Sequence, residues 1–319
     1  MKEECYPVWF ERPVTDELLD LVDPTVEQLG GGNSQDPWYG IESARAVVAS
    51  SLSYDAAVMD RAPRLEVISR TGIGYDLVDV PAATARRILV CNAPEGPTVS
   101  TAEHAVTLIL MASKNVLRSI DELRAGGSDY YVNNRALELD GKTLGLVGFG
   151  RIARHVARVA QSLGMRVAAF DPFVAEAEFF VDRVSSLPEL LAMADVLSVH
   201  IPLNDDTAQL FGAAAFAQMK EGAVFVNTAR GGLVDHDALT AALDSDHLFS
   251  AGLDVTDPEP LAPEAALLAR DDVVVTPHVA SGTSAGRRRI FQTALEQAIL
   301  VLDGVKPPHP VNPEVWSRR

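Results

Sequence analysis

The segment Val147-Gly148-Phe149-Gly150-Arg151-Ile152-Ala153 constrains this chain more than any other. The apolar run 143–147 before it reads as a buried strand. The stretch 152–163 after it carries Ile152, Val156, Val159, Ala160 and Leu163 at the spacing of one helix face. Gly148 permits a tight turn, Gly150 lets the backbone approach a pyrophosphate, and Ala153 provides a small residue where helix and strand pack closely. The helix N-terminus then offers N–H groups and partial positive charge to phosphates. A glycine pattern alone is weak evidence. Here Asp171 follows Gly150 by 21 residues, at the end of the next apolar run, 166–170. A carboxylate there accepts the ribose hydroxyls of NAD and repels the 2′-phosphate of NADP, and Pro172 and Phe173 bring no compensating cation. The expected cofactor is NAD.

A length of 319 residues suggests two domains of ordinary size. Ahead of the glycine turn, apolar runs at 46–49, 65–69 and 88–92 alternate with helical patterns at 54–61 and 80–87, which predicts a parallel sheet. The Pro-rich stretch 93–98 is expected to be a hinge. A long apolar helix follows over 101–118, with a break at 125–129. A second alternation places strands at 143–147, 166–170, 196–199, 223–226, 249–253 and 273–275, matching a doubly wound sheet. A last helix, 284–302, precedes a tail whose prolines end the fold.

Composition excludes several functions. Lys and Arg number 27 against 44 Asp and Glu, for a formal net charge of −17, which argues against nucleic acid as a partner. The one dense basic run, Arg287-Arg288-Arg289, reads as a solvated or interface face. Cys5 and Cys91 form neither a metal-spaced pair nor a disulfide framework, so no metal and a reducing, cytoplasmic setting are expected. The N-terminus has no apolar run of the signal-peptide kind, and the apolar stretch 102–111 is too short to span a bilayer, so no membrane partner is expected.

Three further segments lie at predicted strand ends: NTARGGLVD (227–235), LDVTDPEP (253–260) and TPHVA (276–280). Open α/β sheets bind ligands at the carboxyl ends of their strands, so Arg230, Glu259 and His278 are expected to converge. Interconverting a 2-keto and a 2-hydroxy acid moves a hydride at carbon and a proton at oxygen. Histidine suits the proton, a carboxylate beside it fixes its tautomer, and an arginine fork binds the substrate carboxylate. Taken singly, each has a plain structural explanation: a loop histidine, a helix cap, a rigid acidic turn. Downstream of a dinucleotide turn, the set reads as catalytic.

With SRTGIGYDLVD and STAEHA upstream, these motifs resemble the D-isomer-specific 2-hydroxyacid dehydrogenase family, which includes phosphoglycerate dehydrogenases, glyoxylate and hydroxypyruvate reductases and formate dehydrogenases. The resemblance runs from about residue 69 to 285. It implies Arg230 as substrate-binding arginine, His278 as acid-base and Glu259 as its partner. Gly72, Ile73 and Gly74 would hold the substrate carboxylate on their N–H groups, as a backbone nest does. Arg151 and Ile152 would meet the pyrophosphate, and Ile201, Thr228 and Asp254 the nicotinamide, with Asp254 on the carboxamide. His200 would be a packing residue. It also implies a Rossmann-type doubly wound parallel sheet inserted into a smaller, flavodoxin-like α/β substrate domain. The expected boundaries are 1–99 plus 288–319 for the substrate domain and 100–287 for the NAD-binding domain, with a cleft that closes on substrate. The helix from Thr101 would help form a homodimer, and no regulatory domain is expected after the tail. The substrate stays open among glyoxylate, hydroxypyruvate and 3-phosphoglycerate types, with Arg70 and Arg135 as candidate phosphate ligands. A formate dehydrogenase and an NADH-sensing, corepressor-like binding protein remain as alternatives.

Overall fold

The computed structural model describes residues 5–30, 33, 35–174, 178 and 180–318. In chain order its elements begin with β1 (Tyr6–Phe10), β2 (Val26–Leu29), β3 (Ala46–Ala49), α1 (Ala56–Asp60), β4 (Val67–Arg70), α2 (Val80–Ala85) and β5 (Leu89–Cys91). Next come α3 (Thr98–Ser113), α4 (Val116–Arg124), α5 (Tyr130–Asn133), β6 (Thr143–Val147), α6 (Arg151–Ser162), β7 (Arg166–Phe170) and β8 (Val181–Arg183). The remainder are α7 (Leu187–Met193), β9 (Val196–Val199), α8 (Ala213–Phe216), β10 (Ala223–Asn227), α9 (His236–Asp244), β11 (Leu248–Leu253), β12 (Val273–Val275) and α10 (Ser284–Leu302).

Two compact units result. One joins the residues up to Pro97 with those from Thr283 onward, and the other is Thr98–Gly282. The chain crosses between them at Pro97/Thr98 and Gly282/Thr283. The second crossing precedes α10 because Thr283 is its cap: the hydroxyl accepts the Gly286 N–H at 2.9 Å, so the whole helix goes with the first unit.

The first unit holds an all-parallel sheet in the order β2-β1-β3-β4-β5, the flavodoxin-like arrangement. Side chains alternate across it. Val8, Phe10, Ala46, Val48, Val67, Leu89 and Cys91 pack with α10 residues Phe291, Ala294, Leu295 and Ala298. Trp9, Val47, Ala49, Ile68 and Val90 pack on the opposite face with Val58 and Met59 of α1 and Ala83 of α2. Both faces are therefore buried, which is why these strands read as continuous apolar runs. The tail covers the outer edge of β5: the buried Asn312 accepts the Val90 N–H at 2.8 Å and donates to the Ile88 carbonyl at 3.0 Å. The triple arginine is spent locally. Arg287 reaches Glu17 at 3.2 Å, Arg288 pairs with Asp20 at 2.7 Å, and Arg289 donates to the Gly96 carbonyl.

The second unit holds seven parallel strands in the order β12-β11-β10-β9-β6-β7-β8. The order reverses between β6 and β9, the switch point at which such sheets bind ligands. Leu144, Leu146, Val167, Val196, Val224, Val226 and Val274 face α3 and α6, while Leu197, Val199, Phe225, Ala251 and Leu253 face the side of α7, α8 and α9. Gly252 lets α3 lie against β11, since a Cβ there would come within 3.0 Å of Leu108.

Three strands were absent from the expected set. β2 and β8 are edge strands with two exposed polar residues each, Glu27 and Gln28, and Asp182 and Arg183, so neither shows an apolar run. β1 carries Pro7, which disfavours a strand interior, yet lies between β2 and β3. The helix expected over 101–118 is corrected to two. Asn115, in the left-handed region at φ 50°, ends α3 and starts α4. Among the described residues, no helix is long and apolar enough to cross a membrane, and no cluster of His, Cys, Asp or Glu would hold a metal ion.

Candidate active site

The glycine turn sits at the carboxyl end of β6, beside β9. Gly148 has φ 87°, and a Cβ there would come within 2.6 Å of the His200 carbonyl and 2.9 Å of the Ile201 side chain. Only glycine satisfies both demands. Gly150 is the N-cap of α6, where a Cβ would meet nothing within 4 Å, so open space lies over the helix start. Arg151 and Ile152 form the first turn, and buried Ala153 packs beneath them. At the end of β7, Asp171 accepts the Phe149 and Phe173 N–H groups, both at 2.8 Å, so its carboxylate is fixed beside the turn with acceptor capacity left over. The Thr228 hydroxyl, buried beyond β10, finds no partner among the described residues. Bare helix start, fixed carboxylate and orphaned hydroxyl together fit a dinucleotide: phosphates at the N–H groups, ribose at Asp171, a polar ring substituent near Thr228.

His200 ends β9. Its Nε2 lies 2.9 Å from the Ser198 hydroxyl, and burial lowers its pKa to about 4, so the ring packs as a neutral group. Ile201 packs on the core beside it.

The other loops leave β10, β11 and β12, which are neighbours in the sheet. Asn227 clips the first. Its amide donates to the Arg230 carbonyl at 2.8 Å and accepts the Ala229 N–H at 2.9 Å. Arg230 is half-buried, with Nη1 2.7 Å from the Ala229 carbonyl. A Cβ on Gly231 would overlap the Thr256 carbonyl, so the loop bearing Arg230 lies directly on the loop that leads to Glu259. Glu259 and His278 meet, with Oε1 2.6 Å from Nδ1 and both side chains partly exposed. A carboxylate at that distance accepts a hydrogen bond from Nδ1–H, which fixes that tautomer and leaves Nε2 for proton transfer.

Asp254 builds the turn that presents His278. Its Oδ1 accepts the Thr276 hydroxyl at 2.7 Å and the Val279 N–H at 2.9 Å, and its Oδ2 accepts the Ala280 N–H at 2.9 Å. The Asp254 carbonyl accepts the His278 N–H at 2.7 Å, holding a histidine at φ 52°. Burial works to raise the Asp254 pKa, but the hydrogen bonds from His104, Thr276, Val279 and Ala280 outweigh it and keep the carboxylate ionised. His104, on α3, lies 2.9 Å from the Thr276 hydroxyl and 3.3 Å from Asp254. Because Thr276 gives its proton to Asp254, His104 Nε2 must carry a proton and donate. The sequence offered His104 only as a letter in STAEHA.

Gly72, Ile73 and Gly74 belong to the first unit, after β4. All three carbonyls are held: Gly72 O by the Ala93 N–H at 2.8 Å, Ile73 O by the Asn92 amide at 2.7 Å, Gly74 O by Arg70 Nε at 3.1 Å. Their N–H groups donate to no partner among the described residues, the condition of an anion nest. Arg70 also donates to the Ser50 carbonyl and is buried, so it braces two loops and is not presented to a phosphate. Arg135 is exposed between α5 and β6. A groove of about 550 Å³ between α8 and α9, lined by Phe216, Ala238, Ala241 and His247, lies at the amino ends of β10 and β11, away from these loops.

Residues 106–280 match the family model described as D-isomer specific 2-hydroxyacid dehydrogenase, NAD binding domain. The chain belongs to this family. It is similar to D-3-phosphoglycerate dehydrogenase of Archaeoglobus fulgidus, 36% identical over 94% of this chain and 58% of the relative. It is also similar to glyoxylate reductase of Thermofilum pendens, 39% identical over 83% of this chain and 80% of the relative. Among solved structures, TT0316 protein from Thermus thermophilus superposes with a TM-score of 0.86 at 37% identity, covering 96% of this chain and 99% of that one. The chain spans about half the length of the phosphoglycerate dehydrogenases it matches.

Proposed function

We propose that this 2-hydroxyacid dehydrogenase family member interconverts a small, unphosphorylated 2-hydroxy acid and its 2-keto acid with NAD, glyoxylate or hydroxypyruvate being the keto acid type. The observation that carries the reading is the His278–Glu259 contact of 2.6 Å, on loops of the same sheet edge as the glycine turn. NAD, when bound, supplies or takes the hydride. In the reductive direction His278 Nε2 gives a proton to the carbonyl oxygen, and in the oxidative direction it takes the hydroxyl proton. Glu259 keeps the other nitrogen protonated and stabilises the imidazolium form. Arg230 forks onto the substrate carboxylate and polarises the reacting oxygen. The Gly72–Gly74 nest is the kind of site that takes a carboxylate. Gly148, Gly150, Arg151, Ile152, Asp171, Ile201 and Thr228 hold the cofactor, and Asp254 holds the His278 turn and meets the carboxamide. The inward commitment of Arg70 favours an unphosphorylated acid.

NADH oxidation by the purified protein, against glyoxylate, hydroxypyruvate, pyruvate and 3-phosphohydroxypyruvate, tests this. Turnover confined to the phosphorylated acid would overturn the substrate class, and tight NADH binding without any turnover would favour a sensor. We also infer a homodimer, because α4 and α5 expose Leu123 (65%), Tyr131 (95%) and Val132 (76%). A monomeric mass by light scattering would overturn it.

A further inference from the structure

Arg230 and Glu259 stand on different loops, and a histidine joins the two. The segment after Arg230 is pinned. The Val234 N–H donates to the Gly231 carbonyl at 3.0 Å, and the Asp235 N–H to the Phe211 carbonyl at 3.1 Å. The Asp235 carboxylate then caps α9, accepting the Asp237 and Ala238 N–H groups at 3.0 Å each. Leu239, Ala242 and Leu243 bury that helix in the core. His236 is its first residue, so its backbone is fixed. Its ring reaches the Glu259 loop: Nδ1 lies 3.0 Å from the Asp257 carbonyl oxygen. A carbonyl only accepts, so Nδ1 carries the proton and donates. Nε2 is buried and meets no partner among the described residues.

The loop itself reads Asp257-Pro258-Glu259-Pro260. Its two prolines have no N–H to donate, so the segment is held chiefly through its carbonyls. The Thr256 hydroxyl donates to the Pro258 carbonyl at 2.9 Å, from within the loop. His236 holds the carbonyl before it, from α9. Glu259 follows directly and meets His278 at 2.6 Å. We propose that His236 is a positioning residue for Glu259, a latch that keeps the carboxylate on His278 Nδ1. The proposal rests on the His278–Glu259 pair carrying the proton transfer. One segment, 230–236, then has the substrate arginine at its start and the latch for the acid-base pair at its end. Gly231 brings the two loops into contact, and His236 fixes their register.

Steady-state kinetics of the full chain test this, with whichever keto acid wild type turns over. The forms compared are wild type, His236→Leu, His236→Phe, His236→Asn, Glu259→Gln, and Glu259→Gln with His236→Leu. Leucine and phenylalanine are two donorless forms, so a folding failure of one leaves the other to read. Each should lower kcat by about 5- to 10-fold, the worth of one hydrogen bond, with keto acid KM and NADH affinity within about two-fold. Asparagine places an amide donor near the Nδ1 position and removes the buried Nε2, so His236→Asn should recover most of the loss. In the Glu259→Gln background, His236→Leu should cost less than about two-fold, because the carboxylate it would misplace is already gone. Unchanged kcat in the donorless forms overturns the proposal. Losses that multiply in the double variant also overturn it, since His236 would then act independently of Glu259. Failure of asparagine to rescue overturns the donated proton as the cause. If Glu259→Gln turns over like wild type, or wild type turns over no keto acid, the His278–Glu259 reading fails and the proposal fails with it.

Discussion

The two sheets obey the same rules, both parallel and both covered on two faces, yet their carboxyl edges are used in opposite ways. In the second unit the loops present side chains outward: His278, Glu259 and Arg230 stand on backbones clamped by Asp254 and Asn227. In the first unit the charged side chains turn inward. Glu11 accepts the N–H groups of Ser50, Ser51 and Leu52 and the Tyr54 hydroxyl. Arg70 holds the Ser50 and Gly74 carbonyls. What faces outward there is backbone. In the proposed reading, one edge offers side chains as reagents on a fixed backbone, and the other uses side chains to fix a backbone offered to the substrate. The same residue type, arginine, serves both, so residue type alone does not assign the role.

Substitutions can break this contrast. His278→Ala, on the reagent edge, should lower kcat by about 1,000-fold while leaving NADH affinity intact. Steady-state turnover and fluorescence titration read the two quantities, and a parallel loss of NADH affinity would make His278 a scaffold residue instead. The exception on that edge is His200, which is turned inward and neutral. Its folded pKa of about 4 lies below the unfolded value of 6.5, so its contribution to stability is complete above pH 6.5 and is lost as pH falls toward 4. The loss should reach about 3 kcal/mol at most. Denaturant melts from pH 7 to 4 should show a shallower acid decline for His200→Asn than for wild type, and parallel slopes would refute the assignment.

On the scaffold edge, Arg70→Met should cost about 1–3 kcal/mol of stability by stripping two carbonyls of their donor. It should raise KM for the keto acid while kcat stays within a few-fold. A fall in kcat at unchanged KM would instead make Arg70 a reagent. The smallest effect belongs to His104, which acts through Thr276 and Asp254. His104→Leu should reduce kcat by roughly ten-fold or less, about one hydrogen bond's worth, with NADH affinity unchanged, and His104→Gln should restore most of it by supplying an amide donor. Failure of glutamine to rescue would show that ring packing, and not the donated proton, is what matters.

Much of this molecule was legible in its sequence because the signals are local. A glycine at φ 87°, a small residue under a helix start and apolar runs of strand length are written in consecutive residues, and the runs 46–49, 143–147, 166–170, 196–199 and 273–275 coincide with β3, β6, β7, β9 and β12. Strands buried on both faces are uniformly apolar and stand out, whereas edge strands such as β2 and β8 mix polar residues and do not. The order of motifs also marked Arg230, Glu259 and His278 as candidates, but their contact geometry was not written there. Neither was the direction in which a charge turns. Arg70 reads like a phosphate ligand until its donors are traced to two carbonyls. His104 lies 150 residues from Asp254 in sequence and 3.3 Å from it in space. Arg183 stands opposite Ala169 only because β8 pairs in parallel with β7. Backbone preference and hydrophobic period act over a few residues, so the sequence alone determined most of the buried strands, the glycine turn and the candidate reagents. Strand pairing and hydrogen bonding join residues without regard to their separation along the chain, so only the tertiary structure decided which charges brace the loops and which are offered to a ligand.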